Sequence, residues 1–492
     1  TQSNQEMSIS IQIAAYQALY RIICYYGSWA VYRPGDGKYD VENIDPTLCT
    51  HIVYGFVGVS GEGQVTILDS WNEIDKAVSQ CALKRFNDLK QKNPSLKVMA
   101  AAGGWNAGSY SFSTVVSSDS LIDKLVQSVL SFLETYGYDG FDLDWEYPTL
   151  RGGAAGDKSN FIKLLQKLQA AFQPKGYILS AAVSAGEATI DPAYDIPSMN
   201  QYLNFINVMT YDLHGSWDPV TGENAPLYAG PTDTTDSAKT LNVDTAIQYW
   251  ISKGASKEKI NLGMGTYGRS FTLQSASSSD VGAAITGPGT AGPYTREAGT
   301  LGFNEICEQK SQWTEHWNDA QQVPYATNGN QWVGYDNVRS ITIKCDYIKS
   351  QGLGGGMIWS LETDDFLGKC GQGNNPLLTA IHSSLIGGGS EIYSRDPDFV
   401  TPTDPDQSTD PTNPSDTTTS SSTTTSTTTQ SSVPPSGVCT TTGYVRDPSN
   451  CQVFYYCEVE NGAYKATSFS CPPGTAFDTT ILGCNYTDQV QC

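Results

Sequence analysis

The sequence predicts an α/β protein: a (β/α)8 TIM barrel with an α+β insertion between strands 7 and 8, plus a small disulfide-rich β module. Three observations predict this architecture. Eight short apolar segments alternate with amphipathic stretches, a Ser/Thr/Pro-rich tract interrupts the chain, and six of the twelve cysteines lie between Cys439 and Cys492. A chain of 492 residues is long enough for one large and one small domain.

The barrel prediction depends on eight apolar segments with the composition of buried strands. In chain order they are RIICYYG, HIVYGFVGV, KVMAAAGG, YDGFDLDW, YILSAAVSA, FINVMTYD, INLGMGTYG and GGGMIWSL. Helical patterns such as SNFIKLLQKLQAAFQ and DTAIQYWISKGA lie between them. Near-continuous apolar strands that alternate with helices indicate parallel strands covered on both faces, and eight such units indicate a closed barrel. The stretch at about 270–340 is too long for one helix, so we interpret it as the insertion.

Composition changes sharply near residue 395. From there to residue 437 the chain consists mainly of Ser, Thr, Pro and Asp, and includes the run TTTSSSTTTSTTTQSS. Such a segment cannot bury enough apolar surface to fold, which predicts a disordered linker suited to O-glycosylation. The predicted domains are therefore an extension with no assigned role (1–20), the barrel (21–387), the linker (395–437) and the module (438–492).

The charge balance excludes several classes of partner. Lys and Arg number 29 against 51 Asp and Glu, a net charge of −22. Such a surface repels nucleic acids and anionic membranes, whereas a neutral polymer is not repelled. The four histidines do not cluster in the sequence, so we expect neither a metal nor a cofactor. The apolar run at 8–24 is interrupted by Gln12, Gln17 and Arg21, and is too short to span a membrane.

The cysteines indicate the compartment in which the protein works. Six cysteines in the short C-terminal segment indicate a disulfide framework, which forms in an oxidising environment. The chain begins with Thr1 rather than Met, as expected after removal of a signal peptide. We therefore expect a secreted, extracellular protein.

The fourth predicted strand has acidic residues at alternate positions in the sequence DGFDLDWEYP. Because side chains alternate across a strand, Asp142, Asp144 and Glu146 share one face, and the apolar residues between them share the other. An apolar face that packs on helices directs the acids into the barrel and puts Glu146 at the end where active sites of this fold lie. Carboxyl groups this close cannot all ionise, so at least one pKa should rise and leave an acid able to protonate a leaving oxygen. The alternative, a solvated edge strand, is disfavoured by the apolar opposite face.

On this DGFDLDWE motif the chain resembles the family 18 glycoside hydrolases, specifically the animal chitinases, over about residues 20–385. The resemblance implies endo-acting hydrolysis of β-1,4-N-acetylglucosamine linkages in chitin and chitooligosaccharides. It also implies retention of configuration with assistance from the 2-acetamido group of the substrate. Chitin would then be the binding partner, and we expect a monomer.

The resemblance implies a role for each acid. Glu146 would protonate the glycosidic oxygen and later act as base for water. Asp144 would orient the acetamide and offset positive charge, and Asp142 would share a proton with Asp144. Tyr211 and Asp212, in the sequence MTYD, would position the acetamide.

The resemblance also assigns positions in the substrate cleft, where flat aromatic rings stack on the apolar faces of sugars. Arg269, in TYGRSF, would bind sugar, and Trp359 would form the floor of the cleft. Trp145, on the outer face of the fourth strand, is assigned to packing. The remaining cleft positions are Tyr25, Trp29, Phe56, Trp71, Gly103, Gly104, Trp105, Asn106, Tyr147, Met209, Trp217 and Tyr267.

In the barrel, the resemblance implies the disulfides Cys24–Cys49 and Cys307–Cys370. Cys81 and Cys345 then remain, and because both lie in helical patterns we expect buried free thiols, with a bond between them as the alternative.

The C-terminal cysteines have the spacing C-x11-C-x5-C-x13-C-x12-C-x7-C, which by itself allows fifteen pairings. The pattern resembles the peritrophin-A type chitin-binding domain, also called carbohydrate-binding module family 14. The resemblance implies the pairs Cys439–Cys457, Cys451–Cys492 and Cys471–Cys484. The sequon Asn485-Tyr-Thr487 also predicts N-glycosylation.

Two other functions compete with a chitinase. One is a catalytically silent chitin-binding lectin on the same scaffold, in which the acid at the Glu146 position is typically replaced. Here Glu146, Asp144, Asp142 and Tyr211 are all present, which favours an enzyme. The other is a hydrolase of a different N-acetylglucosamine substrate, such as the core of N-linked glycans. The chitin-binding type of the C-terminal module argues against it.

Overall fold

The computed structural model describes residues 20–74, 81–387, 439, 443–460, 463–470, 475–478 and 483–486. The chain divides into two compact units, the first ending at residue 402. The predicted linker at 395–437, and all of the N-terminal extension except its last residue, lie outside the described residues. The roles of both segments therefore stay predictions.

The first unit is built on a closed barrel of eight parallel strands, as predicted. Each strand pairs with the next along the chain, and the first also pairs with the eighth, with Arg21 opposite Gly355. The barrel strands are Arg21–Gly27, His51–Val59, Lys97–Gly103, Gly140–Asp144, Ile178–Ser184, Phe205–Met209, Ile260–Gly265 and Gly355–Trp359. A two-residue strand, Val65–Thr66, pairs antiparallel with the second of these.

Helices cover the outside of the barrel. In the longest, apolar side chains spaced three or four residues apart form one buried face, which begins at Ile122 and ends at Leu133. This helix ends at Gly137, whose left-handed backbone (φ 73°) lets its N–H bond to the carbonyl of Leu133. No described helix has both the length and the apolar character needed to cross a bilayer. The α-helices are Ser70–Glu73, Ala82–Asp88, Tyr110–Val116, Asp119–Tyr136, Asp157–Phe172, Glu187–Ala193, Ile196–Tyr202, Val243–Ser252, Phe303–Glu308, Val338–Gln351 and Pro376–Leu385.

Short 3-10 helices join several of these elements. One of them, Ser28–Tyr32, follows directly on the first barrel strand, and another, Trp105–Ala107, follows the third after Gly104; each carries an aromatic residue of the predicted cleft. The others are Gly35–Gly37, Val41–Asn43, Leu89–Gln91, Gln173–Lys175, Ala238–Thr240, Lys257–Lys259, Lys310–Gln312 and Leu361–Thr363.

The insertion between the seventh and eighth barrel strands is a six-stranded antiparallel sheet with the helix Phe303–Glu308. It begins at Tyr267, earlier than the predicted boundary of about 270, and its last strand ends at Gly334. The predicted seventh strand runs on to Gly268, but the barrel strand ends at Gly265. The apolar run continues from the barrel strand into the first strand of the insertion, so composition alone could not locate the boundary between these two strands. The strands of the insertion are Tyr267–Leu273, Ile285–Pro288, Thr300–Gly302, Thr314–Asn318, Val323–Asn328 and Gln331–Gly334.

The outer face of the fourth barrel strand anchors the acidic face in place. Trp145 is buried, its ring stacks on Phe112 at 5.3 Å between centroids, and its Nε1 donates to Ser109 Oγ at 2.9 Å. Phe161 packs edge-on against the same indole. This packing is the role predicted for Trp145, and it directs the neighbouring acids toward the barrel axis.

The second unit contains a three-stranded antiparallel sheet and a separate two-stranded sheet, in agreement with the predicted β module. The disulfide Cys439–Cys457 is present, and Cys451 is also disulfide-bonded. The predicted pairs Cys451–Cys492 and Cys471–Cys484 lie outside the described side chains and stay predictions. The strands are Gly443–Arg446, Val453–Glu460, Ala463–Ser470, Thr475–Asp478 and Gly483–Tyr486.

The cysteines of the barrel form two disulfides, Cys24–Cys49 and Cys307–Cys370. Cys81 and Cys345 are free thiols, so the alternative of a bond between them is wrong. Cys345 is buried in its helix, and burial raises the pKa of its thiol to about 12. The prediction of burial is wrong for Cys81, which is only half-buried because it precedes the first turn of the helix Ala82–Asp88 instead of lying inside it.

Candidate active site

The three acids of the fourth strand lie at the carboxyl end of the barrel. Asp142 and Asp144 belong to the strand itself, and Glu146 follows two residues after the strand ends. Their exposed fractions are 0%, 3% and 8%. Exposure rises along the chain, so Glu146 is the member closest to solvent. Every one of these carboxyl groups has lost most of its hydration, which favours its neutral form.

Asp142 is the deepest acid, and several donors satisfy it. Its Oδ2 accepts a hydrogen bond from the Tyr25 hydroxyl at 2.8 Å, and its Oδ1 accepts one from Ser180 Oγ at 2.5 Å. The side-chain amide of Asn207 lies 3.4 Å from Oδ1. Burial raises the pKa of Asp142 to about 6, and these hydrogen bonds oppose a larger rise.

Asp144 lies between the other two acids and is the least satisfied of the three. Its Oδ1 is buried and has no hydrogen-bond partner among the described residues. Burial, followed by repulsion from Glu146 and Asp142, raises the pKa of Asp144 well above its ordinary value. A buried carboxyl oxygen without a partner is costly in a folded protein, so this atom is suited to meet a ligand.

Glu146 has the properties of a proton donor. Burial raises the pKa of its carboxyl to about 7, although a hydrogen bond from Tyr147 and the charge of Arg151 act in the opposite direction. The Arg151 guanidinium also donates to the backbone carbonyl of Glu146 at 3.1 Å. A carboxylic acid with this pKa is largely protonated at mildly acidic pH and can donate to a leaving oxygen.

The sixth barrel strand brings Tyr211 and Asp212 to the same end of the barrel. Asp212 has left-handed backbone (φ 57°), and its Oδ1 accepts from the Tyr267 hydroxyl at 2.6 Å and from Arg269 Nε at 2.7 Å. Asn224 holds this arrangement together, because its Oδ1 accepts from the Asp212 N–H at 3.0 Å and its Nδ2 donates to the Tyr267 carbonyl at 3.1 Å. Tyr211 is almost completely buried, and its hydroxyl lies 3.7 Å from the sulfur of Met357.

Two strand residues and one residue of the 3-10 helix Ser28–Tyr32 form a stacked aromatic cluster at the mouth of the barrel. The Phe56 and Trp359 rings stack at 5.6 Å between centroids, and Trp29 stacks on Phe56 at 6.1 Å. Trp29 lies 6.0 Å from Trp359. The indole of Trp29 is exposed and that of Trp359 is half-buried, so the cluster presents a flat apolar surface beside the acids.

Other predicted cleft tryptophans are also exposed. Trp105 and Trp217 are each 60% exposed, and Trp71 is 36% exposed. The guanidinium of Arg151 lies 3.5 Å from the Trp105 ring centroid, and that of Arg269 lies 5.3 Å from the Trp217 ring centroid. In each pair the guanidinium lies over one face of the exposed indole. The opposite face of the ring is suited to bind an apolar face of a ligand.

Two predicted glycines are required by close approach of the backbone. Gly103 and Gly104 have φ angles of 120° and 82°, a region that other residues rarely adopt. A Cβ atom on Gly103 would overlap the carbonyl oxygen of Asp144, and one on Gly104 would overlap the Phe56 ring. Both glycines therefore let the third strand pass directly beside the acids.

The remaining predicted cleft residues have different environments. Tyr25 and Tyr267 are buried, and their hydroxyls bond to Asp142 and Asp212, so these two residues lie beneath the cleft surface. Met209, at the end of the sixth strand, and Tyr147, three residues after the fourth strand, are half-buried, and Asn106 is exposed.

The sequence did not indicate Ser180, Asn207, Asn224 or Arg151 as functional. Ser180 and Asn207 are polar residues within otherwise apolar barrel strands, a signal that could have identified them. Asn224 and Arg151 lie in loops, where sequence alone gives no sign of their partners.

The described residues contain one group with the spacing of a metal site: Cys307, Asp365 and Cys370. Its two cysteines are bonded to each other. Disulfide sulfurs are poor metal ligands because metals bind the thiolate form, so this group does not fit a metal ion.

Comparison with known proteins gives the family. Residues 21–364 match the family model described as "Glycosyl hydrolases family 18", and residues 439–492 match the model described as "Chitin binding Peritrophin-A domain". The first match includes all eight barrel strands and the three acids.

Similar proteins extend over most of the chain. Chitotriosidase-1 of Mus musculus is 40% identical over 373 residues, which covers 74% of this chain and 78% of that protein. Endochitinase of Manduca sexta is 40% identical over 378 residues, covering 74% of this chain and 67% of that protein. A solved structure of Ostrinia furnacalis Group IV chitinase in complex with allosamidin is 42% identical, with a TM-score of 0.73, and covers 75% of this chain and 100% of that one. The chain therefore belongs to family 18 of the glycosyl hydrolases and is an enzyme of its chitinase type.

Proposed function

We propose that this enzyme hydrolyses β-1,4 linkages between N-acetylglucosamine units of chitin and chitooligosaccharides, within the polymer and with retention of configuration. The observation that carries the proposal is the buried line of Asp142, Asp144 and Glu146, in which burial raises the pKa of the outermost carboxyl to about 7. The chitinase names of its relatives and the match of its C-terminal module to a chitin-binding family support chitin as substrate.

The first step of the mechanism breaks the glycosidic bond. Glu146 donates its proton to the glycosidic oxygen while the bond from that oxygen to C1 breaks. The carbonyl oxygen of the 2-acetamido group on the same sugar forms a bond to C1, which gives a cyclic oxazolinium ion and an ionised Glu146. The substrate thus takes the place of the protein nucleophile that other retaining glycosidases use.

Asp144 assists this step through its unpartnered oxygen. Its buried Oδ1 is placed to accept the acetamide N–H, which turns the acetamide carbonyl toward C1. As positive charge develops on the oxazolinium ring, a carboxylate at this position stabilises it in a site of low dielectric constant. Asp142 shares a proton with Asp144, since its own pKa is raised to about 6.

Tyr211 and Asp212, just after the end of the sixth barrel strand, position the acetamide. Asp212 is fixed by Tyr267, Arg269 and Asn224, so its carboxylate accepts hydrogen bonds in a preset geometry. In the second step, the oxygen of a water molecule attacks C1 while the water gives a proton to the ionised Glu146. This restores the acetamido group and the protonated acid, and two displacements at C1 leave the configuration unchanged.

The exposed tryptophans and the acidic surface favour a neutral, polymeric substrate. Stacking on Trp29, Trp105 and Trp217 buries sugar faces without any need for charge on the ligand. We further propose that the C-terminal module holds the enzyme on insoluble chitin, which raises the local concentration of the polymer at the barrel.

The disulfides support an extracellular location. Cys24–Cys49, Cys307–Cys370 and Cys439–Cys457 form and persist only in an oxidising compartment. We therefore propose secretion. Recovery of the native protein with these six cysteines reduced would contradict it.

Replacing Glu146 by glutamine tests the assigned acid. Glutamine keeps the size of the side chain but cannot donate a carboxyl proton, so turnover of a labelled chitooligosaccharide should fall by about 100-fold or more. Binding of the same oligomer, measured by fluorescence titration, should persist. Glu134→Gln is the matched control, because Glu134 forms a surface ion pair with Lys175 away from the cleft. Full activity of Glu146→Gln would reject the role of Glu146 as the acid.

The products of a defined hexamer test the mode of cleavage. Retention predicts that the first reducing ends are β-anomers in NMR spectra recorded before mutarotation, and endo action predicts dimers to tetramers among the earliest products. Early α-anomers would contradict substrate assistance. Release of monomer alone would contradict endo action.

Removal of residues 395–492 tests the module. Activity on crystalline chitin should fall by about tenfold or more, since the enzyme loses its attachment to the solid, while activity on soluble oligomers should hardly change. Initial rates on both substrates, with the full chain as control, give the comparison. An equal loss on both would show that the module does not act by attachment.

A further inference from the structure

A column of polar side chains runs through the interior of the barrel beneath Asp142. Arg21 Nε donates to Asn261 Oδ1 at 3.0 Å, and Asn261 Nδ2 donates to Asn207 Oδ1 at 2.8 Å. Asn207 Nδ2 then donates to the Tyr25 hydroxyl at 2.9 Å, and that hydroxyl donates to Asp142 Oδ2 at 2.8 Å. Four consecutive hydrogen bonds therefore join a guanidinium at the base of the barrel to the deepest acid, and every donor points toward that acid.

The column is unusual for the interior of a barrel, which branched apolar side chains normally fill. Asn207 and Asn261 are completely buried, and Tyr25 is nearly so. Buried amides are costly unless all their polar atoms are paired, and here each amide both accepts and donates within the column. The sixth and seventh strands carry these amides at paired positions, with Asn207 opposite Asn261 in register.

The direction of the bonds has an electrostatic consequence. Hydrogen bonds aligned head to tail polarise one another, and the effect is larger in a medium of low dielectric constant. Arg21 supplies the positive end. Burial lowers the pKa of its guanidinium to about 10, so the group stays charged at neutral and acidic pH. Its Nη2 also donates to the backbone carbonyl of Glu258 at 2.5 Å, which fixes the guanidinium in place.

We propose that Arg21, Asn261 and Asn207 act through Tyr25 as positioning residues that stabilise the single negative charge shared by Asp142 and Asp144, so that this pair keeps only one proton in acidic solution. The inference rests on the proposed function, because it assigns the state of two acids in the proposed mechanism. A pair with two protons has no carboxylate to offset the oxazolinium charge. The column thus extends the acidic end of the working pH range.

Hydrogen bonds from Ser180, Tyr25 and Asn207 each lower the pKa of Asp142, and the other groups that face it supply no positive charge. Facing Asp142 are Ser180, Tyr25 and Asp144, with Glu146 and Tyr211 beyond Asp144. None of these is a cation.

Around Arg21 lie Glu258, His51 and Lys259, and Lys97 also acts on His51. Burial, followed by the charges of Arg21 and Lys97, lowers the pKa of His51 to about 3, so this imidazole stays neutral over the range in question. Arg21 is therefore the cation that the column connects to Asp142.

The proposed column predicts the direction in which the acid limb of the kcat–pH profile moves when a hydrogen bond of the column is broken. Breaking the column weakens stabilisation of the ionised pair, so the first pKa of the pair rises and the acid limb of the kcat–pH profile moves to higher pH. For Asn261→Leu and Arg21→Met, assayed on a soluble chitooligosaccharide, we expect an upward shift of about half a pH unit or more. The alkaline limb, set by loss of the Glu146 proton, should stay in place in both variants.

Lys97→Met is the matched control. It removes a positive charge from the same end of the barrel without breaking a hydrogen bond of the column, so its acid limb should match that of the unmodified chain. Far-UV circular dichroism and the thermal midpoint check that each variant is folded. If Asn261→Leu fails to fold, Arg21→Met decides the matter, because it leaves the buried amides in place.

The outcomes separate the two proposals. An acid limb that stays in place in a folded Arg21→Met or Asn261→Leu variant, or that moves equally in Lys97→Met, overturns the column while leaving the proposed reaction intact. Absence of chitooligosaccharide hydrolysis by the unmodified chain instead contradicts the proposed function itself.

Discussion

The active site depends on one physical constraint: three carboxyl groups are buried together where water cannot stabilise their charges. Desolvation raises the pKa of Asp142, Asp144 and Glu146 alike, but their hydrogen bonds differ. Asp142 has donors on both oxygens, whereas Asp144 has an oxygen with none among the described residues. The three carboxyl groups therefore take different roles because their environments differ. Asp142 stabilises charge, Asp144 contacts the substrate and Glu146 donates a proton, as expected when neighbouring acids take separate roles.

The scaffold maintains this constraint from both faces of the fourth strand. On the outer face, Trp145 is fixed by Phe112, Phe161 and Ser109, so the strand cannot rotate to expose its acids. On the inner face, Tyr25 and the column beneath it occupy the space below Asp142. The large core therefore stabilises a polar cluster that would be unfavourable by itself.

The fold and the acids could be predicted because they depend on patterns that are local in sequence. Alternation along DGFDLDWE gives the inward face, and the eight apolar segments give the strand count. The contacts of Asn224 and Arg151 could not be predicted, since they join loops to residues elsewhere in the fold, such as Tyr267 and Trp105. The sequence could place the start of the insertion only at about residue 270, because the apolar run does not change where one strand ends and the next begins at Tyr267. The incomplete burial of Cys81 could not be predicted because a helical pattern does not specify where the first turn starts.

We expect Glu146 to hold its proton at pH values well above the ordinary range for a glutamic acid, and a direct titration of that carboxyl tests this expectation. A 13C NMR titration of protein labelled at glutamate carboxyl carbons would assign the Glu146 signal by its loss in the Glu146→Gln variant. The proposed mechanism predicts a midpoint near the value of about 7 that burial produces in the structure. A midpoint near about 4.3, the value for a solvated glutamic acid, would contradict it.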